Sequence, residues 1–143
     1  MIKFFFLSVI LILSLIPTAF AENAGTITYI GECHKALIKK EDVTSRCGKK
    51  LTKLDKGDHK NTFMAFDDQN DLLLTLETVL HHHTLEYLLE NYTTDNSEGI
   101  PLNGKCTERR LPEKGAREFN CHASDPDGNK FEYIFEGVEA DSK

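Results

Sequence analysis

Four cysteines constrain this chain more than any other feature. Cys33, Cys47, Cys106 and Cys121 fall into two pairs, separated by 14 and 15 residues. In an oxidising compartment an even count of thiols forms bridges, whereas in a reducing one the same residues read as metal ligands or reactive thiols. The compartment therefore decides between the two. Met1-Ile2-Lys3 is followed by an apolar stretch from Phe4 to Ile16, broken only by Ser8 and Ser14, and then by Pro17 and Ala19-Phe20-Ala21. This is a charged start, an apolar run shorter than the roughly 20 residues of a spanning helix, and an A-x-A cleavage signal. The expectation is a signal peptide over residues 1–21, cleaved after Ala21, and one disulfide-bonded domain over residues 22–143 with no membrane span.

Export makes two bridges the expected state of the four thiols. Of the three possible connectivities, Cys33–Cys47 and Cys106–Cys121 are favoured, because each pair lies in a segment that can fold back as a hairpin. Closing a loop of about 15 residues contributes on the order of 3 kcal/mol in the chain-entropy model. A zinc site of four thiolates is the rival reading; the chain has no C-x-x-C pair, and such a site requires reduced thiols.

Charge is unevenly placed. Residues 34–60 hold nine Lys or Arg against four acids, whereas residues 61–143 hold seven against seventeen. An acidic balance of this size argues against a nucleic-acid partner, which requires a concentrated basic surface. The basic segment suits a solvated strand face, or a contact with an acidic partner or an anionic envelope surface.

Along the chain, β-branched and aromatic runs alternate with turn residues. Thr26 to Ile30 reads as a strand closed by Gly31-Glu32-Cys33, His34 to Lys40 as a second extended piece, and Glu41-Asp42 as a turn. Lys49 to Asp55 reads as a strand, and Thr62 to Phe66 as one covered on both faces. Leu72, Leu74, Leu76, Thr78 and Leu80 alternate, as do Leu85, Tyr87 and Leu89, which gives two strands. The alternative is a helix over residues 72–91, capped at Asn70 or Asp71, in an α+β fold. Thr94 to Gly104 reads as a surface loop, Lys105 to His122 as a bridged hairpin, and Phe131, Tyr133 and Phe135 as the inward side of a last strand. An internal echo is visible: Gly31-Glu32-Cys33…Cys47…Asn61-Thr62-Phe63 against Gly104-Lys105-Cys106…Cys121…Asn129-Lys130-Phe131. It suggests two similar stapled units.

The predicted fold is mainly β, a small antiparallel barrel or sandwich of about six to eight strands stapled by two disulfides. Its core is expected to hold Ile30, Phe63, Phe66, Leu74, Leu76, Leu89, Phe131, Tyr133 and Phe135.

Candidate chemistry is sparse. On a strand, His81 and His83 share one face and can offer two imidazoles to zinc or copper, with His34, His59, His122 or a carboxylate as a third ligand. The plain reading of His81-His82-His83 is a solvated polar segment. Asp125, Asp127 and Asn129 alternate as in a calcium loop, but Lys130 stands where the sharp turn needs Gly, so a β-turn is the reading adopted. No G-x-S-x-G is present, and bridged cysteines offer no nucleophile. Carboxylate pairs such as Glu86 and Glu90 carry no specificity, and the sequon Asn91-Tyr92-Thr93 matters only in a eukaryotic source. The expected function is an exported, non-catalytic binding module of the bacterial periplasm or secretion space, without a cofactor, that engages a protein or an envelope component. A metal-binding protein using His81 and His83, and an unrecognised hydrolase, are the alternatives.

Overall fold

The computed structural model describes residues 25–140. The signal-peptide reading of residues 1–21 and the cleavage after Ala21 lie outside the described residues. Ten strands follow in order: β1 (Thr26–Ile38), β2 (Glu41–Asp42), β3 (Cys47–Gly57), β4 (Lys60–Asp67), β5 (Leu72–Leu80), β6 (Glu86–Thr94), β7 (Ser97–Pro101), β8 (Asn103–Leu111), β9 (Ala116–Ser124) and β10 (Lys130–Glu139). A 3₁₀ turn, Thr44–Arg46, leads into β3.

Eight of these strands close into one antiparallel up-and-down barrel. Neighbours run β1-β3-β4-β5-β6-β8-β9-β10, and β10 pairs back with β1. Closure pairs each of the eight ring strands on both sides, which removes the long open edges of an unclosed sheet. The short β2 and β7 lie outside the ring, paired with β1 and β6. We call the end with the β3–β4, β5–β6 and β8–β9 turns the histidine end, and the opposite one the far end.

Period-two alternation sets which side chains fill the barrel. Tyr29, Leu51, Phe63, Leu74, Leu76, Tyr87, Leu89, Cys106, Phe119, Cys121, Phe131, Tyr133 and Phe135 are all buried. Edge-to-face contacts link Tyr29 to Phe119 (4.9 Å), Phe119 to Phe63 (5.8 Å) and Phe63 to Tyr87 (5.0 Å), so aromatic rings from β1, β9, β4 and β6 meet across the middle. An eight-stranded barrel is just wide enough for side chains to fill, and this one is filled.

Several expectations are corrected. Ile30 lies on the outer wall, 46% exposed, because Tyr29 takes the inward position of that run. Phe66 is half-buried on the outer wall, beneath the Lys50 ammonium, 4.2 Å from the ring centroid. β4 is covered on both faces over Asn61, Thr62 and Phe63, all buried, whereas toward its end the outward Met64 and Phe66 are half-buried. β1 does not end at Cys33: it runs through His34 to Ile38 with a bulge between Cys33 and Lys35. Glu41-Asp42 is a strand pair with Ile38 and Leu37 rather than a turn. Thr94 to Gly104 is not a loop, since β7 and the start of β8 occupy most of it. The helix alternative over residues 72–91 does not form: β5 and β6 pair there, with a bulge between Glu77 and Thr78.

Both bridges form as expected, Cys33–Cys47 and Cys106–Cys121. Cys106 and Cys121 face each other across β8 and β9. Cys33 lies three residues after Ile30 and Cys47 three residues before its partner Lys50, so in this antiparallel pair the bridge also spans a first hairpin. The internal echo is therefore topological. β1-β3-β4 and β8-β9-β10 are each a three-strand meander, bridged between the first two strands, with Phe63 or Phe131 inward from the third. The bridges differ in setting: Cys106 and Cys121 are buried with Cα atoms 3.9 Å apart, whereas Cys33 and Cys47 are half-buried at 5.9 Å.

Candidate functional site

Charged groups gather inside the barrel toward the histidine end. Counting by twos from buried neighbours explains why: Lys53 follows Leu51 on β3, Glu108 follows Cys106 on β8, and Arg117 precedes Phe119 on β9. Glu108 is 3% exposed. Its carboxylate accepts the Lys53 ammonium at 3.2 Å and the Tyr87 hydroxyl at 2.9 Å, and it is paired with the Arg117 guanidinium. Lys53 also donates to the Tyr87 hydroxyl at 3.1 Å. Burial alone would raise the Glu108 pKa, but the charge of Lys53, the hydrogen bonds from Tyr87 and Lys53 and the charge of Arg117 outweigh it and hold the carboxyl below its usual range. The same burial and the Glu108 charge push the Tyr29 hydroxyl up to about 12 and raise that of Tyr87. Every polar group of the cluster has a partner, which is the condition under which buried charge is tolerated.

The histidine tract lies at the rim. β5 ends at Leu80, so His81 to His83 occupy the turn into β6 and not a strand. The expected shared face of His81 and His83 therefore does not exist. Instead His82 lies against His83, with ring centroids 3.7 Å apart, and against His59 of the β3–β4 turn at 5.5 Å. The two turns are neighbours because β4 pairs with β5 up to Lys60↔Val79, and the Leu80 amide donates to the His59 carbonyl at 2.7 Å. His59 and His83 both hold positive φ, +66° and +60°. Of the other histidines, His34 sits on the outer wall 3.5 Å from Glu136, and His122 on the outer wall 3.9 Å from Glu132. Among the described residues no three His, Cys, Asp or Glu side chains are placed together to hold a metal ion.

The far end holds the candidate calcium residues. The Asp125 carboxylate accepts the amides of Asp127 (2.9 Å) and Asn129 (2.8 Å) and the Asn129 side chain (3.0 Å). Those bonds, the Asn129 side chain first, lower its pKa and use its oxygens to close the β9–β10 turn. Glu86 and Glu90 share the outer wall of β6, where Glu86 pairs with Lys105 at 2.8 Å.

On that outer wall, where β6 meets β8 and β9, lies a shallow hollow of about 720 Å³. Leu88, 48% exposed, lines it together with Gly104, Lys105, Thr107, Arg109, Asn120 and His122. The hollow exists because β6 pairs with β8 only over Glu86 to Leu88 before β7 takes its place. Sequence reasoning missed both this hollow and the inner ion cluster. The signal for Glu108 was present in its two-residue spacing from Cys106.

Fold and site together define a closed, doubly bridged antiparallel barrel with an ionic plug at one end. No family model, curated protein or solved structure matches the chain. Two disulfides fit an oxidising compartment, and among the described residues no helix is long and apolar enough to cross a membrane.

Proposed function

We propose that the chain is an exported, non-catalytic binding module of the bacterial periplasm or secretion space, and that it engages a protein or envelope component through its outer wall. The observation that carries this reading is the filled interior. Tyr29, Tyr92, Tyr133, Phe119, Phe131, Phe135 and four further side chains beside Cys106 are each less than 2% exposed. With side chains occupying the space in which other eight-stranded barrels hold a small ligand, recognition falls to the exterior. There the hollow around Leu88 combines an apolar floor with flanking polar groups, the composition of a protein contact patch. The signal-like first 21 residues and the bridges support the compartment.

A crosslinking pull-down from envelope extracts of the native host tests the proposal, with Leu88→Asp as the comparison. Leu88 is exposed, so the substitution is expected to shift stability by no more than about 0.5 kcal/mol. Wild type should capture a specific partner that Leu88→Asp loses. Recovery of the barrel alone, or equal capture by both, removes the outer-wall reading.

A further inference from the structure

We infer that His59 and His82 form a two-imidazole site for a borderline divalent metal ion, Cu²⁺ above Zn²⁺, on the histidine end of the barrel. The site belongs to the rim rather than the outer wall, and it stands independently of the binding-module reading.

The separation of the rings is the first argument. A metal–imidazole bond of about 2.1 Å puts a ring centroid about 3.2 Å from the ion, so two rings at a tetrahedral angle stand about 5 Å apart. His59 and His82 are 5.5 Å apart and edge to face, close to that separation, and both side chains are exposed, so ring rotation can turn a nitrogen of each toward one ion. His82 and His83, at 3.7 Å, are too close to share an ion as they lie. The pair is therefore built by two different hairpins and is not a property of the consecutive histidine tract. Water, and His81 or His83 after a side-chain rotation, complete the coordination; all three tract side chains are exposed and free to turn.

The backbone supplies the second argument. Asp58 and His59 are the two central residues of a hairpin turn with φ of +53° and +66°, between the paired Gly57 and Lys60. Such a turn favours Asn-Gly or Asp-Gly, and a non-glycine residue held there is disfavoured by about 1 kcal/mol. The side chain at this position reaches the His82 ring, and the Leu80 amide bonded to the His59 carbonyl ties the two turns together. Imidazole suits both ions, and copper binds a given nitrogen site more tightly than zinc.

The test is titration of tag-free, bridged protein with Cu²⁺ and with Zn²⁺ by calorimetry, with electron paramagnetic resonance on the copper form. One Cu²⁺ per chain with nitrogen hyperfine structure is expected, bound more tightly than Zn²⁺. Outer-sphere changes already weaken metal sites about ten- to a hundredfold, so loss of a ligand in His59→Asn or His82→Ala should weaken Cu²⁺ binding at least about tenfold. His34→Ala and His122→Ala should change it less than about twofold. Asn tolerates the turn backbone, and thermal melts confirm that each variant is folded. Wild-type affinity in His59→Asn would show that the tract alone binds and overturn the inference, as would the absence of a one-to-one Cu²⁺ complex.

Discussion

Lys53 Nζ lies 3.2 Å from Glu108 Oε1 across the full width of the barrel interior. β3 and β8 stand four strands apart whichever way the ring is followed, so no ladder links them. The ion pair joins opposite walls, and Arg117 and Tyr87 bring in β9 and β6. Four of the eight barrel strands thus converge on one carboxylate. A charge in this position fixes how the walls meet at the histidine end, where the aromatic packing stops.

Removing the carboxylate leaves two cations facing each other in a confined space. Glu108→Ala is expected to lower stability by about 3 kcal/mol, since breaking a buried pair strands its partners. Replacing all three charges with apolar residues of similar volume, Lys53→Met with Glu108→Leu and Arg117→Met, should restore stability to within about 1 kcal/mol of wild type. Urea denaturation of the two variants decides it. A triple variant as unstable as the single one would show that the strands need the charges themselves.

The cluster also sets a pH dependence. The Glu108 pKa is lower folded than unfolded, so its stabilising contribution is fully present above the unfolded value, near 4.3, and is lost as pH falls through the folded value. Wild type should therefore be more stable than Glu108→Gln at pH 7, with the gap closing below about pH 4. Other carboxylates titrate in both proteins and cancel in the difference. Urea melts at a series of pH values measure the gap; a constant gap would mean that Glu108 does not act through its charge.

Closure of the ring depends on a glycine pair. Gly31 on β1 faces Gly137 on β10, and a Cβ on Gly31 would come within 1.9 Å of the Glu136 carbonyl oxygen and 2.5 Å of the Gly137 Cα. Gly31→Ala must push the seam apart, with an expected loss of about 2–3 kcal/mol. Amide exchange should accelerate in β1 and β10 before it does so in β4 and β5. Uniform acceleration would show that the seam is not the weak point.

Much of this architecture was legible because period-two alternation and turn residues are local signals. β5, β9 and β10 follow them directly, and the cysteine spacing gave the bridges. The failures come where alternation carries two consistent solutions or a bulge shifts it. Thr26-Ile27-Thr28-Tyr29-Ile30 has apolar residues on both faces, and only the ring as a whole decides that Tyr29 points inward and Ile30 outward. Phe66, one residue after the inward Ala65, falls on the outer face by alternation alone, and the bulge opposite Ala65 and Phe66, with Leu73 as the extra residue of β5, turns Leu72 outward against the inward Leu74. The His59–His82 contact joins two turns whose adjacency depends on strand order, which spacing along the chain does not encode.

The two bridges should not be equivalent. Each closes a loop of similar length, with separations of 14 and 15 residues, so chain entropy alone assigns about 3 kcal/mol to both. Cys106 and Cys121, however, are 0% and 2% exposed, and their sulfurs also fill the interior. The double variant Cys106→Ala with Cys121→Ala is expected to lose about 1–2 kcal/mol more than Cys33→Ala with Cys47→Ala, the cavity adding to the entropy. Paired denaturation curves measure this. Alkylation of the native protein should find no free thiol; four reactive thiols would remove the bridges and the oxidising compartment together.

The metal inference carries its own stability signature. His59 sits at φ +66° in a two-residue turn, where glycine avoids the Cβ penalty. His59→Gly is therefore expected to stabilise the metal-free protein by about 0.5–1 kcal/mol, the relief of strain exceeding the extra freedom gained by the unfolded chain. Added Cu²⁺ should reverse the order. Wild type gains stability in proportion to the logarithm of metal over its dissociation constant, and the glycine variant gains far less. Thermal melts of both proteins at increasing Cu²⁺ should cross. Parallel curves would mean that the ion does not use this imidazole, and a metal-free variant less stable than wild type would mean that the His59–His82 contact stabilises the turns without metal.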